Sequence, residues 1–289
     1  MTQYGYGSRR GFNPRWIIAL VIALVGVVGY FAKEKVTNPE TGESYRRAMN
    51  VDQQKALGLQ AAKEMIPKMG GAADPSRDPD GRIVSEVGTR VVSETGASKT
   101  EFAGNFNFYL VEDPNTINAF ALPGGQVSIT RGLYNRLENE AQLAGVLGHE
   151  VGHVIAEHSA QQMAKGQLGQ MIATAVGVGA SGEDGRGRYA GVAAMMANQM
   201  LQLKYTRGDE TQADEIGLKY MKEAGYDPAE MVAVMEILKS AAGGSRQPEI
   251  LSSHPLPESR IEDIKRWIES HQGELKNLKL TKGQPLHGR

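Results

Sequence analysis

The pentapeptide His149-Glu150-Val151-Gly152-His153 limits what this chain can become more than any other stretch. In an α-helix, residues four apart differ by only ~40° around the axis, so both imidazoles share one face with Cβ atoms about 6 Å apart. Two nitrogens so placed can reach one Zn2+ at about 2.0–2.1 Å. Glu150 sits beside them, where it can take a proton from a water activated by the ion. The bland alternative is a helix with two surface histidines. With six histidines in 289 residues, a chance H-E-x-x-H is roughly a one-per-cent event.

The chain has no cysteine. Disulfides and thiolate metal sites are therefore excluded, and any zinc must be held by His, Asp or Glu. Two histidines do not complete a catalytic zinc site, which needs a third protein ligand and a water. His158 lies about 180° from His149 on the same helix, so it cannot reach the same ion. The segment Thr206–Asp214 offers more. Thr206 with Asp209 resembles a capping box that opens a helix, and Glu210 and Asp214 then share a face. Glu210 can ligate the ion while Asp214 accepts a hydrogen bond from the far nitrogen of a ligating histidine. A solvated acidic helix start would read the same way, because acids favour helix N-termini.

On a wheel of ~100° per residue, Leu143, Leu147, Val151 and Val154 form a core stripe beside the histidine face. Gly145, Gly148 and Gly152 gather on the opposite flank. Each glycine costs roughly 1 kcal/mol relative to Ala in a helix interior, so three on one strip imply that another backbone comes close there. The helix is expected from about Asn139 to Lys165. Val51–Lys68 and a second segment around Ile83–Val92 also carry helical periodicity. Phe106–Val111 reads as a strand, and Ile117–Leu122 and Gln126–Thr130 read as a hairpin joined by Pro123-Gly124-Gly125.

Trp16–Ala32 has seventeen residues without a charge, the short end of what crosses a bilayer. Arg9, Arg10 and Arg15 precede it, and Trp16, Tyr30 and Phe31 suit the interfacial belt. It is read as an uncleaved signal anchor, with a cleaved secretory signal as the alternative. The flanking charges favour an exported catalytic region. The expected organisation is a tail at 1–15, a transmembrane anchor at 16–32, a polar tether at 33–50, a catalytic domain at 51–272 and a tail at 273–289. The stretch 166–203 fits a lid, a membrane-facing patch or plain core packing. Net charge is −1, with no basic run interleaved with aromatics, so nucleic acid is not an expected partner.

H-E-x-x-H followed by E-x-x-x-D, with Asn118-Ala119-Phe120-Ala121-Leu122-Pro123-Gly124-Gly125 before it and Ser253-His254-Pro255 after it, resembles the membrane-linked metallopeptidase family numbered forty-eight. The likeness spans roughly residues 50–270 through four ordered motifs. It implies an α+β, mainly helical fold: a zincin-like protease core with a small β-sheet, behind one transmembrane helix. It implies one Zn2+ per chain on His149, His153 and Glu210, Glu150 as catalytic base, and Asn118, Ala119, Phe120 and Ala121 as a substrate-side edge strand. His254 would lie near the metal, to stabilise an oxyanion or cover the ion at rest. The activity implied is endopeptidase cleavage of unfolded or misfolded envelope proteins, with proteins or peptides and the membrane as partners. A zinc-stabilised binding or chaperone-like module and an anchored exopeptidase are the rival readings.

Overall fold

The structure is a computed structural model that describes residues 34–38, 40–47, 49–163, 204–243, 247–255 and 258–287, with single positions at 24, 28, 29, 32 and 166. Apart from those positions, the expected anchor at 16–32 and the stretch 166–203 lie outside the described residues. Among the described residues no helix is long and apolar enough to cross a membrane.

Two short strands, β1 (Lys35–Thr37) and β2 (Ser44–Arg46), pair antiparallel. Helix α1 (Val51–Met65) starts in a capping box between Asn50 and Gln53, and α2 (Pro79–Ser93) starts at Asp78 with proline in its first turn. Both starts satisfy amide donors that a helix N-terminus leaves open. Strands β3 (Asn107–Val111), β4 (Ala119–Leu122) and β5 (Gln126–Thr130) form one sheet in the order β3-β5-β4. β5 runs parallel to β3 and antiparallel to β4. Gly124 and Gly125 make the β4–β5 turn at φ 77° and 108°, angles that side-chain-bearing residues rarely adopt. Helices α3 (Glu140–Ile155), α4 (Arg207–Glu223), α5 (Glu230–Ala242) and α6 (Glu258–Ser270) complete the main elements. The class is the expected one, mainly helical with small sheets.

β4 is one edge of the sheet, and its register decides what that edge presents. The Thr130 amide donates to the Asn118 carbonyl at 3.0 Å. By the antiparallel alternation, Ala119 and Ala121 then point their main-chain groups away from β5. That open side faces Glu150 of α3.

The core forms where the wheel placed it. Leu143, Leu147 and Val151 are fully buried and Val154 nearly so, all in one cluster with α2, the sheet and α5. The glycine strip receives α4. A Cβ on Gly148 would stand 3.4 Å from the Gly217 Cα, and one on Gly217 would stand 3.0 Å from the His149 amide nitrogen. Backbone thus meets backbone beside the histidine face. Gly217→Val is expected to destabilise the chain by about 1–3 kcal/mol through overpacking, read from urea unfolding. A variant as stable as its parent would mean that α4 is not seated on this strip.

Three expectations need correction. The motif helix ends at Ile155, not near Lys165, because Glu157 takes a left-handed conformation at φ 54° and redirects the chain. The segment expected as a tether holds the β1–β2 hairpin, docked on the end of α3. Asn38 Nδ2 donates to the Ile155 carbonyl at 2.9 Å. The segment expected as a C-terminal tail packs against the start of α3. There the Ala141 amide donates to the Lys282 carbonyl, and Leu286 is buried.

Candidate metal centre

Helix α3 delivers His149, Glu150 and His153, and α4 delivers Glu210 and Asp214. Thr206 caps α4 in the expected box with Asp209, which fixes where the helix begins and so which face its acids share. His254 follows the short helical turn Ile250–Ser253. All six side chains are buried. His149 Nε2 and His153 Nε2 lie 3.1 Å apart. Glu210 Oε1 lies 3.4 Å from His153 Nε2, and Glu210 Oε2 lies 3.7 Å from His149 Nε2. His254 Nδ1 stands 3.0 Å from Glu210 Oε1 and 3.4 Å from His149 Nε2. Donor atoms of these four residues fall within 4.8 Å of one another.

The outer hydrogen bonds set which nitrogen is free. His149 Nδ1 is 2.9 Å from Asp214 Oδ1, so its proton sits on Nδ1 and its lone pair on Nε2. Gln212 presents Oε1 to His158 Nε2 at 2.8 Å, which places the His158 proton on Nε2. His158 Nδ1 then accepts from His153 Nδ1–H at 2.9 Å, and the His153 lone pair is left on Nε2. Two lone pairs therefore face each other across 3.1 Å, an arrangement that a cation held between them would relieve. Donors around a four-coordinate ion at about 2.0–2.1 Å stand ~3.3 Å apart, close to the separations present. Both oxygens of Glu150 are buried without a side-chain hydrogen bond, though the Ala121 amide approaches the carboxyl. Carboxylate oxygens so poorly partnered are costly in a closed protein. The residues fit a divalent cation.

Electrostatics follow the same layout. Burial drives His153 well below the ordinary imidazole value, and His149, His254 and His158 reinforce this against the pull of Glu210. Burial also opposes charge on His149, but the Asp214 hydrogen bond and the charges of Asp214 and Glu210 overcome it and raise its pKa. Glu210 and Asp214 favour the ionised form: burial opposes this, while imidazoles pull Glu210 well down and Arg260 with His149 lowers Asp214. Glu150 differs. Burial lifts its carboxyl above the usual range, and His254 and His149 only partly offset that.

The chain matches the model of peptidase family M48 over residues 80–268, well over half its length. The chain belongs to peptidase family M48. Among M48 relatives, the beta-barrel assembly-enhancing protease of Escherichia coli is 32% identical over 266 residues, 89% of this chain and 52% of the relative. The mitochondrial metalloendopeptidase OMA1 of Schizosaccharomyces pombe is 31% identical over 266 residues, 90% of this chain and 75% of the relative. The chain thus spans about half the length of its Escherichia coli relative. Membership agrees with the metallopeptidase reading of the motifs.

The M48 site of this chain brings together every ligand candidate that the motifs proposed. It also holds residues that sequence reasoning missed. Arg260 on α6 grips Asp214 through Nε and Nη2 at 2.8 and 2.7 Å. Its Nη1 stands 2.6 Å from Glu210 Oε2 without hydrogen-bond alignment. The Tyr205 ring packs against His153 at a 33° tilt, with centroids 4.0 Å apart. His158, set aside as a ligand on the expectation that it shared the helix of His149, lies beyond the end of that helix, is buried and bonds His153. No local pattern marks Arg260, which lies 46 residues from its partner Asp214.

Proposed function

We propose that this chain is a zinc-dependent endopeptidase in which His149, His153 and Glu210 hold one Zn2+ and Glu150 is the general base. The observation that carries the reading is the convergence of two histidine lone pairs on a buried carboxylate, beside a second carboxylate with no side-chain hydrogen bond of its own. An all-nitrogen-and-oxygen set of two histidines and one glutamate suits zinc. A structural site would have no use for an unpaired base at its side.

Zinc bound there supplies a Lewis acid that polarises the peptide carbonyl and lowers the pKa of an attacking water toward ~7. Glu150 removes a proton from that water and returns it to the leaving amine nitrogen. Burial raises its pKa, which makes its carboxylate a stronger proton acceptor than an exposed one. Asp214, held by Arg260, fixes the His149 tautomer. His254 gives its Nδ1–H to Glu210 Oε1 at 3.0 Å; with Glu210 engaged on the ion, that N–H becomes available to the developing oxyanion. A peptide adds along the open side of β4, bonded by the main chain of Ala119 and Ala121, with Asn118 and Phe120 alternating toward β5. Such binding reads backbone rather than sequence and suits unfolded clients. Apolar Val146, Met231, Met235 and Leu238 wall a hollow of only about 20 Å³ beside Glu150, which keeps that flank of the base dry.

The substrate class we propose is misfolded envelope protein. The name of the Escherichia coli relative says that it enhances β-barrel assembly, which is in keeping with clients met before they have folded. We also propose membrane anchoring through residues 16–32 with residues 51–272 exported; exposed apolar Leu24 and Val28 are in keeping with a lipid-facing surface. Cleavage of casein and a defined peptide is the test. A chelator is expected to abolish cleavage and stoichiometric Zn2+ to restore it, with internal fragments as products. Chelator-resistant cleavage would refute the metal reading, and stepwise terminal trimming would favour an exopeptidase.

A further inference from the structure

Glu157 is the only non-glycine residue at positive φ among the described residues. A glutamate held at such an angle stores strain that the surroundings must offset. Its buried carboxylate is saturated by donors from the N-terminal hairpin and α1. Tyr45 OH donates to Oε1 at 2.6 Å, Arg47 Nε reaches both oxygens at 3.0 and 3.1 Å, and Gln54 Nε2 donates to Oε2 at 2.7 Å. Asn38 adds a bond to the last turn of α3. The next two residues leave this turn toward the metal centre. His158 bonds His153 and Gln212, and Ser159 Oγ lies 2.9 Å from the hydroxyl of Tyr205, whose tilted ring packs against His153.

We propose that Glu157, gripped by Arg47 and Tyr45, is a positioning residue for the metal centre: it holds the left-handed turn that sets His158 against His153. The chain of contacts runs from hairpin to turn, from turn to His158, and from His158 to the Nδ1–H of His153, which leaves the Nε2 lone pair facing the centre. Orientation of a ligating histidine by its outer hydrogen bond governs metal affinity. The hairpin therefore acts on the site without touching it, and residues 34–47 become part of the functional unit. This inference rests on the metal-dependent reading above.

The test is a double-mutant cycle on the full chain, with Zn2+ affinity measured by chelator competition and the visible absorption of the Co2+-loaded protein as a second readout. His158→Ala is expected to weaken Zn2+ binding about 10–100-fold, and Arg47→Ala about tenfold, each shifting the Co2+ bands. In the His158→Ala background, Arg47→Ala should cost nothing further, because its effect travels through His158. A general structural role would instead give the same loss in both backgrounds, and that result overturns the proposal. So does parental affinity in a folded Arg47→Ala protein. Tyr45→Phe removes only a hydroxyl and serves if Arg47→Ala does not fold. It should lose about threefold in affinity in the parent and none in His158→Ala; an unchanged affinity in the parent overturns the proposal. A parent protein that binds no Zn2+ would refute the metal reading itself, a result distinct from variants that match a binding parent.

Discussion

Exchanging Glu150 for Gln is expected to abolish peptide cleavage while leaving the metal bound. Glutamine matches glutamate in size and shape, so the histidine face and the path to the ion stay as they are. What disappears is the proton acceptor. General-base catalysis contributes about 10²–10⁴-fold, and kcat on a quenched peptide should fall by about that factor with metal content unchanged. Stability should move the other way. Glu150 is 1% exposed and neither oxygen has a side-chain hydrogen bond, so its charge is carried at a desolvation cost. Burial accordingly raises its pKa. A neutral amide relieves that cost, and the metal-free Glu150→Gln protein should melt above its parent, as expected where a site trades stability for activity. Robust proteolysis by this variant would contradict the role assigned to Glu150.

Replacing Arg260 with Met should be the most destabilising single change near the centre. The guanidinium is 4% exposed and lies between Glu210 and Asp214, which both favour the ionised form and are both buried. Removing one partner of a buried ion pair leaves uncompensated charge, at about 3–5 kcal/mol. For a domain of this size that lowers the thermal midpoint by roughly 6–20 °C. Asp214 would also lose the group that orients it toward His149, so Zn2+ affinity should fall. Bound zinc returns positive charge to the same cluster, and the midpoint deficit should be smaller in the loaded protein than in the metal-free one. Melting curves with and without Zn2+ decide this. Equal midpoints for parent and variant would show that the pair is not closed in solution.

The parts of this site that rest on short-range repetition were legible in the chain itself. H-E-x-x-H puts two imidazoles and a carboxylate on one helix turn through the 3.6-residue period, and the Thr206–Asp209 box fixes the start of the helix that carries Glu210. The glycines at 145, 148 and 152 announced a close neighbour because helical spacing collects them on one strip. Their partner, Gly217, was not readable, since nothing local says which helix arrives.

Tertiary structure alone decided the rest. Arg260 faces Asp214 only because α6 crosses α4. Glu157 leaves helical geometry because Tyr45, Arg47 and Gln54 meet there from 103 to 112 residues away. That one dihedral ended the motif helix early and turned His158 from a distant residue into a partner of His153. Periodicity along a chain reports which residues share a face. Only packing reports which faces meet, and buried charges take their partners from whatever packing brings within reach.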